Sequence, residues 1–249
     1  MKIRMHYLEA HLFDLCNLGC AGCSHFSPLV SENTFDEEVY LRAIKRLASV
    51  YNVEYLRLLG GEPLLNPRCA ELLKQTRKRM RRTKIELVSN GLLIPQCDEY
   101  FWRVVKKNKI VICISRYPAT ETFATKVEQV LNDRGVDYRI SPPIQTFSRF
   151  LTEEMGEGSY EKCHIRLNVL KGERLYHCAL SAYVSYHNSE YGSAYAEEKG
   201  ISVFSTPGEV EEYFRKPCPL CSYCSGGGYD MPWRLITSDV QSPWVIEKE

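Results

Sequence analysis

Three cysteines lie close together near the start of the chain, in the run Cys-Asn-Leu-Gly-Cys-Ala-Gly-Cys that spans residues 16–23. Thiolates select soft metal centres, chiefly zinc and iron–sulfur clusters, and the small residues between them allow a loop to wrap tightly around one centre. A closed structural site normally takes four protein ligands, but the next cysteine, Cys69, is distant in sequence. The run of Cys16, Cys20 and Cys23 therefore predicts a metal centre with one open, reactive position.

Glycine-rich and polar motifs follow three apolar, strand-like runs further along the chain. These motifs are Gly60-Gly61-Glu62-Pro63 after residues 53–59, Ser89-Asn90-Gly91 after residues 84–88, and Ser115-Arg116 at the end of residues 110–115. Ligand sites in parallel α/β folds lie at the carboxyl ends of the strands. We therefore expect the three motifs to meet at one edge of a sheet, together with the cysteine run.

The C-x3-C-x2-C spacing, with these motifs in this order, resembles the radical S-adenosylmethionine (SAM) superfamily over roughly residues 5–141. The resemblance implies a partial (β/α)6 barrel and a 4Fe–4S cluster on Cys16, Cys20 and Cys23. It also implies SAM-binding residues, namely Gly60, Gly61, Glu62, Ser89, Asn90, Ser115 and Arg116. One departure is Gly22, where the family usually has an aromatic residue before the third cysteine. Phe26 or His25 could supply the missing contact with adenine.

The chemistry implied by this resemblance is reductive cleavage of SAM to methionine and a 5′-deoxyadenosyl radical, which abstracts hydrogen from an unactivated carbon. The electron would come from a flavodoxin- or ferredoxin-type donor. The protein would position the substrate and exclude water and stray hydrogen donors.

Strand and helix patterns alternate over the first 140 residues, which predicts an α/β fold with a parallel sheet and helices outside it. Thr34, followed by Glu37 three residues later, predicts an N-cap and capping box for the first helix. Further helices are predicted over residues 67–80, 96–107 and 121–133, and Gly135 is placed to end the last of them. The predicted domains are a barrel over residues 1–150 and a smaller unit over residues 151–249.

Alternation along the strands indicates which side chains face the interior of the barrel. On this basis Glu9, His11, Arg57 and Cys113 face inward and are weak candidates for catalytic residues. The alternative is a structural role, because a single polar group at a strand end is usually only solvated or hydrogen-bonded. For Cys113 the corresponding alternative is an ordinary buried core cysteine.

Cysteines return in the second half of the chain. Two alternating runs around Lys171-Gly172-Glu173 predict a β-hairpin with Cys163 and Cys178 at its open ends, and the run Cys-Pro-Leu-Cys-Ser-Tyr-Cys follows at residues 218–224. This arrangement resembles the twitch domain, a shortened SPASM-type domain, and implies a second 4Fe–4S cluster on Cys163, Cys178, Cys221 and Cys224. Cys218 is an alternative ligand, and a structural zinc site is an alternative centre.

Composition excludes several classes of function. The net charge of +1 shows no electrostatic footprint for nucleic acid, and the basic segment 74–84 is interpreted as a solvated helix face. The sequence has neither an apolar run long enough for a membrane span nor a signal-peptide pattern. Eleven cysteines in such a chain indicate metal ligands in a reducing cytoplasm.

The substrate is the least determined part of the prediction. The first strand starts near residue 5, which favours a small molecule over a peptide with a leader. The runs 24–28 and 60–65 resemble short bacterial members of the superfamily encoded near polysaccharide genes, which implies a sugar-derived substrate. An auxiliary cluster could accept an electron from the substrate radical, so oxidation is the expected reaction. Epimerisation, peptide modification and a non-catalytic metal-binding redox sensor remain alternatives.

Overall fold

The computed structural model describes residues 2–156, 160–163, 168–237 and 241–246. In chain order its strands and helices are β1 (Ile3–Phe13), α1 (Glu37–Val50), β2 (Tyr51–Gly60), α2 (Cys69–Arg79), β3 (Lys84–Ser89), α3 (Glu99–Lys107), β4 (Val111–Ile114), α4 (Ala124–Arg134), β5 (Tyr138–Ile140), β6 (Thr146–Leu151), β7 (Val169–Lys171), β8 (Arg174–Tyr176), α5 (Ala179–Tyr191), β9 (Ile201–Ser202), α6 (Pro207–Arg215) and β10 (Cys224–Pro232).

Eight of these strands form one sheet in the order β5-β4-β3-β2-β1-β7-β8-β9. The six strands from β5 to β7 in that order are parallel to their neighbours, whereas β8 and β9 are antiparallel additions at one edge. The fold is α/β with a mostly parallel sheet, consistent with a partial radical SAM barrel, as predicted. The sixth parallel strand, β7, lies beside β1 and not beside β5. Strands β6 and β10 form a separate antiparallel ribbon.

The two faces of β1 show why this strand is central. Leu8, Ala10 and Leu12 are at most 1% exposed and belong to the main core with Ile44 and Leu47 of α1. Burying a leucine side chain fully stabilises the fold by about 1.5–3 kcal/mol. The intervening Glu9 and His11 are also buried, on the opposite face. The predicted alternation along β1 is therefore confirmed.

The first helix begins later than predicted, and its N-cap is different. Asp36 is the N-cap, and its carboxylate accepts a hydrogen bond of 2.9 Å from the backbone N–H of Val39. Thr34, the predicted N-cap, instead donates its hydroxyl and its backbone N–H to Asp14 at the end of β1. The prediction for Thr34 was wrong because a tertiary partner competes for its hydrogen bonds.

The next three helices also start a few residues after their predicted positions. Short 3-10 turns, Ile94–Gln96 and Pro118–Phe123, precede α3 and α4. Asp98 is the N-cap of α3 and accepts a hydrogen bond from the N–H of Phe101. Gly135 adopts a left-handed conformation (φ 57°) and ends α4, as predicted. Proline at the start of a turn fixes its own φ but does not decide whether the turn continues as an α-helix.

The second half contains the predicted hairpin, formed by β7 and β8 around Gly172. Residues 165–167 of the predicted first run, which spans residues 165–170, lie outside the described residues. Strand β7 pairs with β1, so the main sheet includes residues beyond 150. The predicted domain boundary between residues 150 and 151 stays a prediction. Sequence patterns missed α5 and α6. The apolar residues of α5 are spread around the helix, so no single amphipathic stripe marks it.

The described helices include none that is both long enough and apolar enough to cross a membrane.

Candidate metal and cofactor site

The cysteine loop leaves the carboxyl end of β1 and borders a cavity at the top of the sheet. The structure brings most of the predicted site residues together around this cavity. Its lining includes Cys16, Cys20, Cys23, Gly60, Gly61, Ser89, Asn90 and Ser115. Four motifs that are far apart in sequence therefore meet at the carboxyl edge of β1 to β4, where strand ends in a parallel sheet converge.

Gly60 and Gly61 hold the start of the cysteine loop. The N–H of Gly61 donates to the carbonyl of Phe13, and the N–H of Glu62 donates to the carbonyl of Leu15, both at 2.9 Å. A Cβ on Gly60 would lie 1.9 Å from the Phe13 oxygen, and a Cβ on Gly61 would lie 2.2 Å from the Leu15 oxygen. Both positions therefore need glycine because a side chain would collide with the backbone of the cysteine loop. A direct contact of this motif with SAM stays a prediction.

Glu62 connects two of the motifs. Its buried carboxylate accepts hydrogen bonds from the Ser89 hydroxyl (2.9 Å), the Asn90 N–H (2.9 Å) and the Leu64 N–H (3.1 Å). Burial raises the pKa of Glu62 to about 7, against the opposing effect of these hydrogen bonds. The carboxylate is thus already hydrogen-bonded within the protein, which makes Glu62 a residue that positions the motifs around the cavity.

Asn90 extends this network to the cysteine loop, since its side-chain amide donates to the Asn17 side chain at 2.8 Å and lies 4.0 Å from the Cys16 sulfur. Ser115 and Arg116, the last of the predicted motifs, differ in position. Ser115 lines the cavity, whereas Arg116 does not line it and pairs through its guanidinium with Glu121.

Two aromatic residues that sequence patterns did not indicate also line the cavity, Tyr117 and Phe147. Their rings meet edge to face, with centroids 5.7 Å apart, and Tyr117 stacks on Trp233 at 5.8 Å. Tyr117 follows β4, whereas Phe147 lies within β6 of the separate ribbon, and neither belongs to a motif. The sequence offered one signal for such residues, namely an aromatic residue near the end of a predicted strand. Aromatic residues are too common at such positions for this signal to identify a cavity.

The position before the third cysteine has no room for an aromatic side chain. Gly22 has a positive φ of 75°, and a Cβ there would lie 2.9 Å from the terminal methyl group of Met231. Phe26 is fully buried, packs on Trp244 with ring centroids 5.4 Å apart, and does not line the cavity. His25 does line it, so His25 is the remaining one of the two predicted substitutes.

The three thiols differ in their electrostatic surroundings. Burial raises the pKa of Cys16 and of Cys20 to about 12. Burial also acts to raise the pKa of Cys23, but the hydrogen bond and charge of His25 outweigh it and lower that pKa. Burial lowers the pKa of His25, but Cys23 and Glu9 outweigh burial and raise it to about 9. The three sulfurs at one cavity fit a soft metal centre with one position left open.

The four weak catalytic candidates lie in a buried polar network on the inner face of the sheet. Glu9 accepts a hydrogen bond from Tyr7 and lies 3.8 Å from His25, and it is in register with Arg57. Arg57 and Arg139 both pair with Glu86, at 3.5 and 2.9 Å.

The other two candidates, His11 and Cys113, are buried on the same face. His11 bonds Asp14 through Nδ1 at 2.9 Å and stacks on Tyr183 at 4.3 Å. Burial raises the pKa of Cys113 to about 11. The inward orientation of all four residues agrees with the prediction, and a role in catalysis remains untested.

The second group of cysteines gathers around the start of α5. Cys178 is the N-cap of this helix, and its sulfur accepts from the N–H of Ser181 at 3.4 Å. The Cys218 and Cys221 sulfurs are 3.5 Å apart. Cys178 interacts electrostatically with Cys163 and Cys224, and Cys218 does so with Cys178. All five candidate ligands therefore occupy one region, and the choice between Cys218 and the four assigned residues stays open.

A polar group borders this second site. His177, Glu198 and Cys218 offer ligand atoms within 4.8 Å of one another. However, the His177 ring already bonds Glu198 through Nδ1 and the Lys216 carbonyl through Nε2, at 2.9 Å for the latter. Both ring nitrogens are used within the protein, so the cysteines remain the candidate ligands here.

Comparisons with known proteins agree with the site geometry. A profile of the Radical SAM superfamily matches residues 11–163, more than half of the chain. The chain therefore belongs to the radical SAM superfamily and is a radical SAM enzyme. Membership implies a 4Fe–4S cluster and SAM as cofactors, with Cys16, Cys20 and Cys23 as the residues that fit the cluster.

Individual relatives cover less of the chain. A GTP 3′,8-cyclase of Clostridium perfringens (strain 13 / Type A) is 34% identical over 91 residues, which are 35% of this chain and 28% of that protein. A GTP 3′,8-cyclase of Klebsiella pneumoniae subsp. pneumoniae is 27% identical over 141 residues, 54% of this chain and 42% of that protein. The chain thus spans less than half the length of these curated relatives.

A solved structure matches over nearly the whole chain. The crystal structure of BtrN in complex with AdoMet and 2-DOIA superposes with a TM-score of 0.54, covers 90% of this chain and 94% of its own, and is 15% identical. This likeness shows that the overall fold is shared.

The first prediction concerns Gly61→Val. The added side chain would collide with the Leu15 carbonyl and displace the cysteine loop, at a cost of about 1–3 kcal/mol. We expect the reconstituted variant to hold less iron and to bind SAM more weakly, measured by iron assay and equilibrium binding. Gly208→Val, at a site with nothing within 4 Å, should change neither quantity. Normal iron content in Gly61→Val would contradict the positioning role.

The second prediction concerns Glu62 and pH. Its pKa is raised in the folded state, so its contribution to stability is present below pH 4.5 and is lost as pH rises through about 7. The melting temperature of metal-free protein should therefore fall between about pH 5 and 8, by ~2–4 °C for each kcal/mol. Glu62→Gln should flatten this slope, and the exposed control Glu211→Gln should retain it. An unchanged slope in Glu62→Gln would exclude Glu62 as its source.

Proposed function

We propose that this radical SAM enzyme abstracts hydrogen from a small, sugar-derived substrate and completes a two-electron oxidation with the help of a second 4Fe–4S cluster. One observation supports SAM-dependent hydrogen abstraction. The cysteine loop lines the same cavity as Gly60, Gly61, Ser89 and Asn90. When bound, the cluster and SAM supply a 5′-deoxyadenosyl radical, and a second cluster supplies an electron acceptor.

The residues of the chain would then have three tasks. Cys16, Cys20 and Cys23 hold the first metal centre, with His25 adding positive charge beside Cys23. Tyr117 and Phe147 form an apolar wall that excludes water from the cavity. The polar network of the inner face provides hydrogen-bond partners for the substrate.

Oxidation is supported by the position of the second cysteine group. Cys178 starts α5, and Tyr183 on the same helix stacks on His11 of the inner face. One helix thus carries Cys178, one of the proposed auxiliary ligands with Cys163, Cys221 and Cys224, at its start and Tyr183, which contacts the inner face, further along. Cys113, the candidate hydrogen donor for epimerisation, is instead a buried thiol beside Glu86.

A compact, uncharged polar substrate is supported by the charge balance of the inner face. Arg57 and Arg139 both pair with Glu86, and neither lines the cavity beside the cysteine loop, where a polyphosphate would need a positive partner. We therefore do not extend the GTP-dependent reaction of the partial relatives to this chain. BtrN, which shares the fold, is in complex with AdoMet and one further ligand, 2-DOIA, and we propose the same pairing of SAM with one substrate for this chain.

We further propose a flavodoxin- or ferredoxin-type protein as the electron donor and the cytoplasm as the compartment. A reducing compartment is supported by the eleven cysteines of the chain, which in a chain of this size are more typical of metal ligands than of disulfides. Nucleic acid and membrane have no part in the proposed function.

The third prediction tests the two centres by metal content. Anaerobically reconstituted protein should hold about eight iron and eight sulfide per chain, as two cluster-type ligand sets imply. Replacing Cys16, Cys20 and Cys23 by alanine should halve both numbers and abolish release of 5′-deoxyadenosine from SAM. Stoichiometric zinc at the second group would overturn the auxiliary cluster, and intact iron without SAM cleavage would indicate a redox sensor.

The fourth prediction separates oxidation from epimerisation, using the substrate identified by deuterium transfer into 5′-deoxyadenosine. Cys113→Ala should leave turnover intact, because no hydrogen donor is needed for oxidation. Loss of Cys221 and Cys224 should stop product formation while some 5′-deoxyadenosine is still released. If Cys113→Ala abolishes product and solvent deuterium enters the wild-type product at a non-exchangeable carbon, the reaction is an epimerisation.

A further inference from the structure

Residues 233–237 and 241–246, hereafter the strap, contact residues 19–23 of the cysteine loop, whereas Gly60 and Gly61 contact residues 13–15. The N–H of Ala21 donates to the Arg234 carbonyl at 3.0 Å, and the N–H of Ile236 donates to the Gly19 carbonyl at 2.7 Å. These two bonds form an isolated antiparallel bridge between Cys20 and Leu235. The middle of the C-x3-C-x2-C run is therefore paired with a segment near the other end of the chain.

Trp244 is the second attachment of the strap. Its indole N–H donates to the Cys23 carbonyl at 2.8 Å, and the residue is 2% exposed. Its own backbone is held in turn, because the N–H of Leu151 donates to the Trp244 carbonyl at 3.2 Å. The ring also packs against Phe26, just beyond the third cysteine.

Atoms of the strap fill the space beside the glycines of the loop. A Cβ on Gly19 would touch the Ile236 side chain at 3.4 Å, and a Cβ on Gly22 would lie 3.5 Å from the Pro243 carbonyl. Met231, at the end of β10, closes the remaining space beside Gly22. The small residues of the loop thus allow the strap to approach, in addition to allowing a tight loop.

The two ends of the cysteine loop are consequently held by different parts of the chain. Residues 13–17 are fixed by Gly61, Glu62 and Asn90, whereas residues 19–23 are fixed by the strap. An irregular loop has no ladder of its own, so its backbone order depends on such partners. Without the strap, Gly19 and Ala21 on either side of Cys20 would lose their backbone partners, and the Cys23 carbonyl would keep only its bond from the Phe26 N–H.

We propose that the strap is a working part of the first metal site, and that Trp244 is a positioning residue which holds Cys23 through its backbone carbonyl. The strap acts on the order of the ligand loop before any metal arrives. It should therefore slow the release of iron once the site is filled.

Trp244→Phe tests this proposal because it removes the indole N–H and keeps a buried aromatic ring. The chain offers a matched control in Trp102, which is also 2% exposed and donates its indole N–H to a cysteine carbonyl, that of Cys97, at 3.0 Å. Trp102→Phe loses the same kind of hydrogen bond at a cysteine outside the predicted ligand sets.

Two measurements are compared between these variants. In metal-free protein, amide hydrogen exchange of the peptide covering residues 16–23 should be about five-fold faster in Trp244→Phe, the factor that one buried hydrogen bond typically carries. In reconstituted protein, iron transfer from the first site to a chelator should accelerate by a similar factor. Trp102→Phe should alter neither rate.

Equal rates in both variants and in the wild type would overturn the proposal, as would equal acceleration in both variants. If Trp244→Phe does not fold, Ile236→Pro replaces it, because proline lacks the N–H that bonds Gly19 and is otherwise compatible with an extended segment. The exchange measurement uses metal-free protein, so its outcome is independent of whether the proposed reaction is correct.

Discussion

The close approach of two glycines to the end of β1 is the contact on which the rest of the site depends. Gly60 and Gly61 lie so near the carbonyls of Phe13 and Leu15 that no side chain fits between them. This contact determines where β1 stops and where the cysteine loop begins. Because Glu62 follows directly and binds Ser89 and Asn90, the same contact sets the distance between the loop and β3.

Buried charge surrounds this site, and nearly every charged group on the inner face has a partner of opposite sign. Glu9 lies beside His25, and Glu86 lies between two arginines. Removing His25 would take the partner at 3.8 Å from the buried Glu9 carboxylate, and breaking a buried pair typically costs about 3–5 kcal/mol. The network is therefore expected to be rigid, and a rigid polar face suits precise placement of a substrate next to a reactive radical.

The two cysteine groups are not independent parts of the fold. Helix α5 begins at Cys178 and reaches the inner face through Tyr183, while β10 begins at Cys224 and leads into the strap over the first cysteine loop. The second half of the chain thus completes the site that the first half begins.

Sequence alone determined the fold class and most of the motif residues around the cavity, because both depend on local patterns, but it did not indicate Tyr117 and Phe147. Alternating strands and helices specify a parallel sheet, and motifs that follow strands must meet at one edge of it. Tertiary structure decided the rest. It placed β7 beside β1, replaced Thr34 by Asp36 as the helix cap, and put Met231 and the strap where an aromatic residue was expected. These outcomes depend on contacts between residues far apart in sequence, and no local pattern of apolar, polar or glycine residues records which distant partner a backbone group will find.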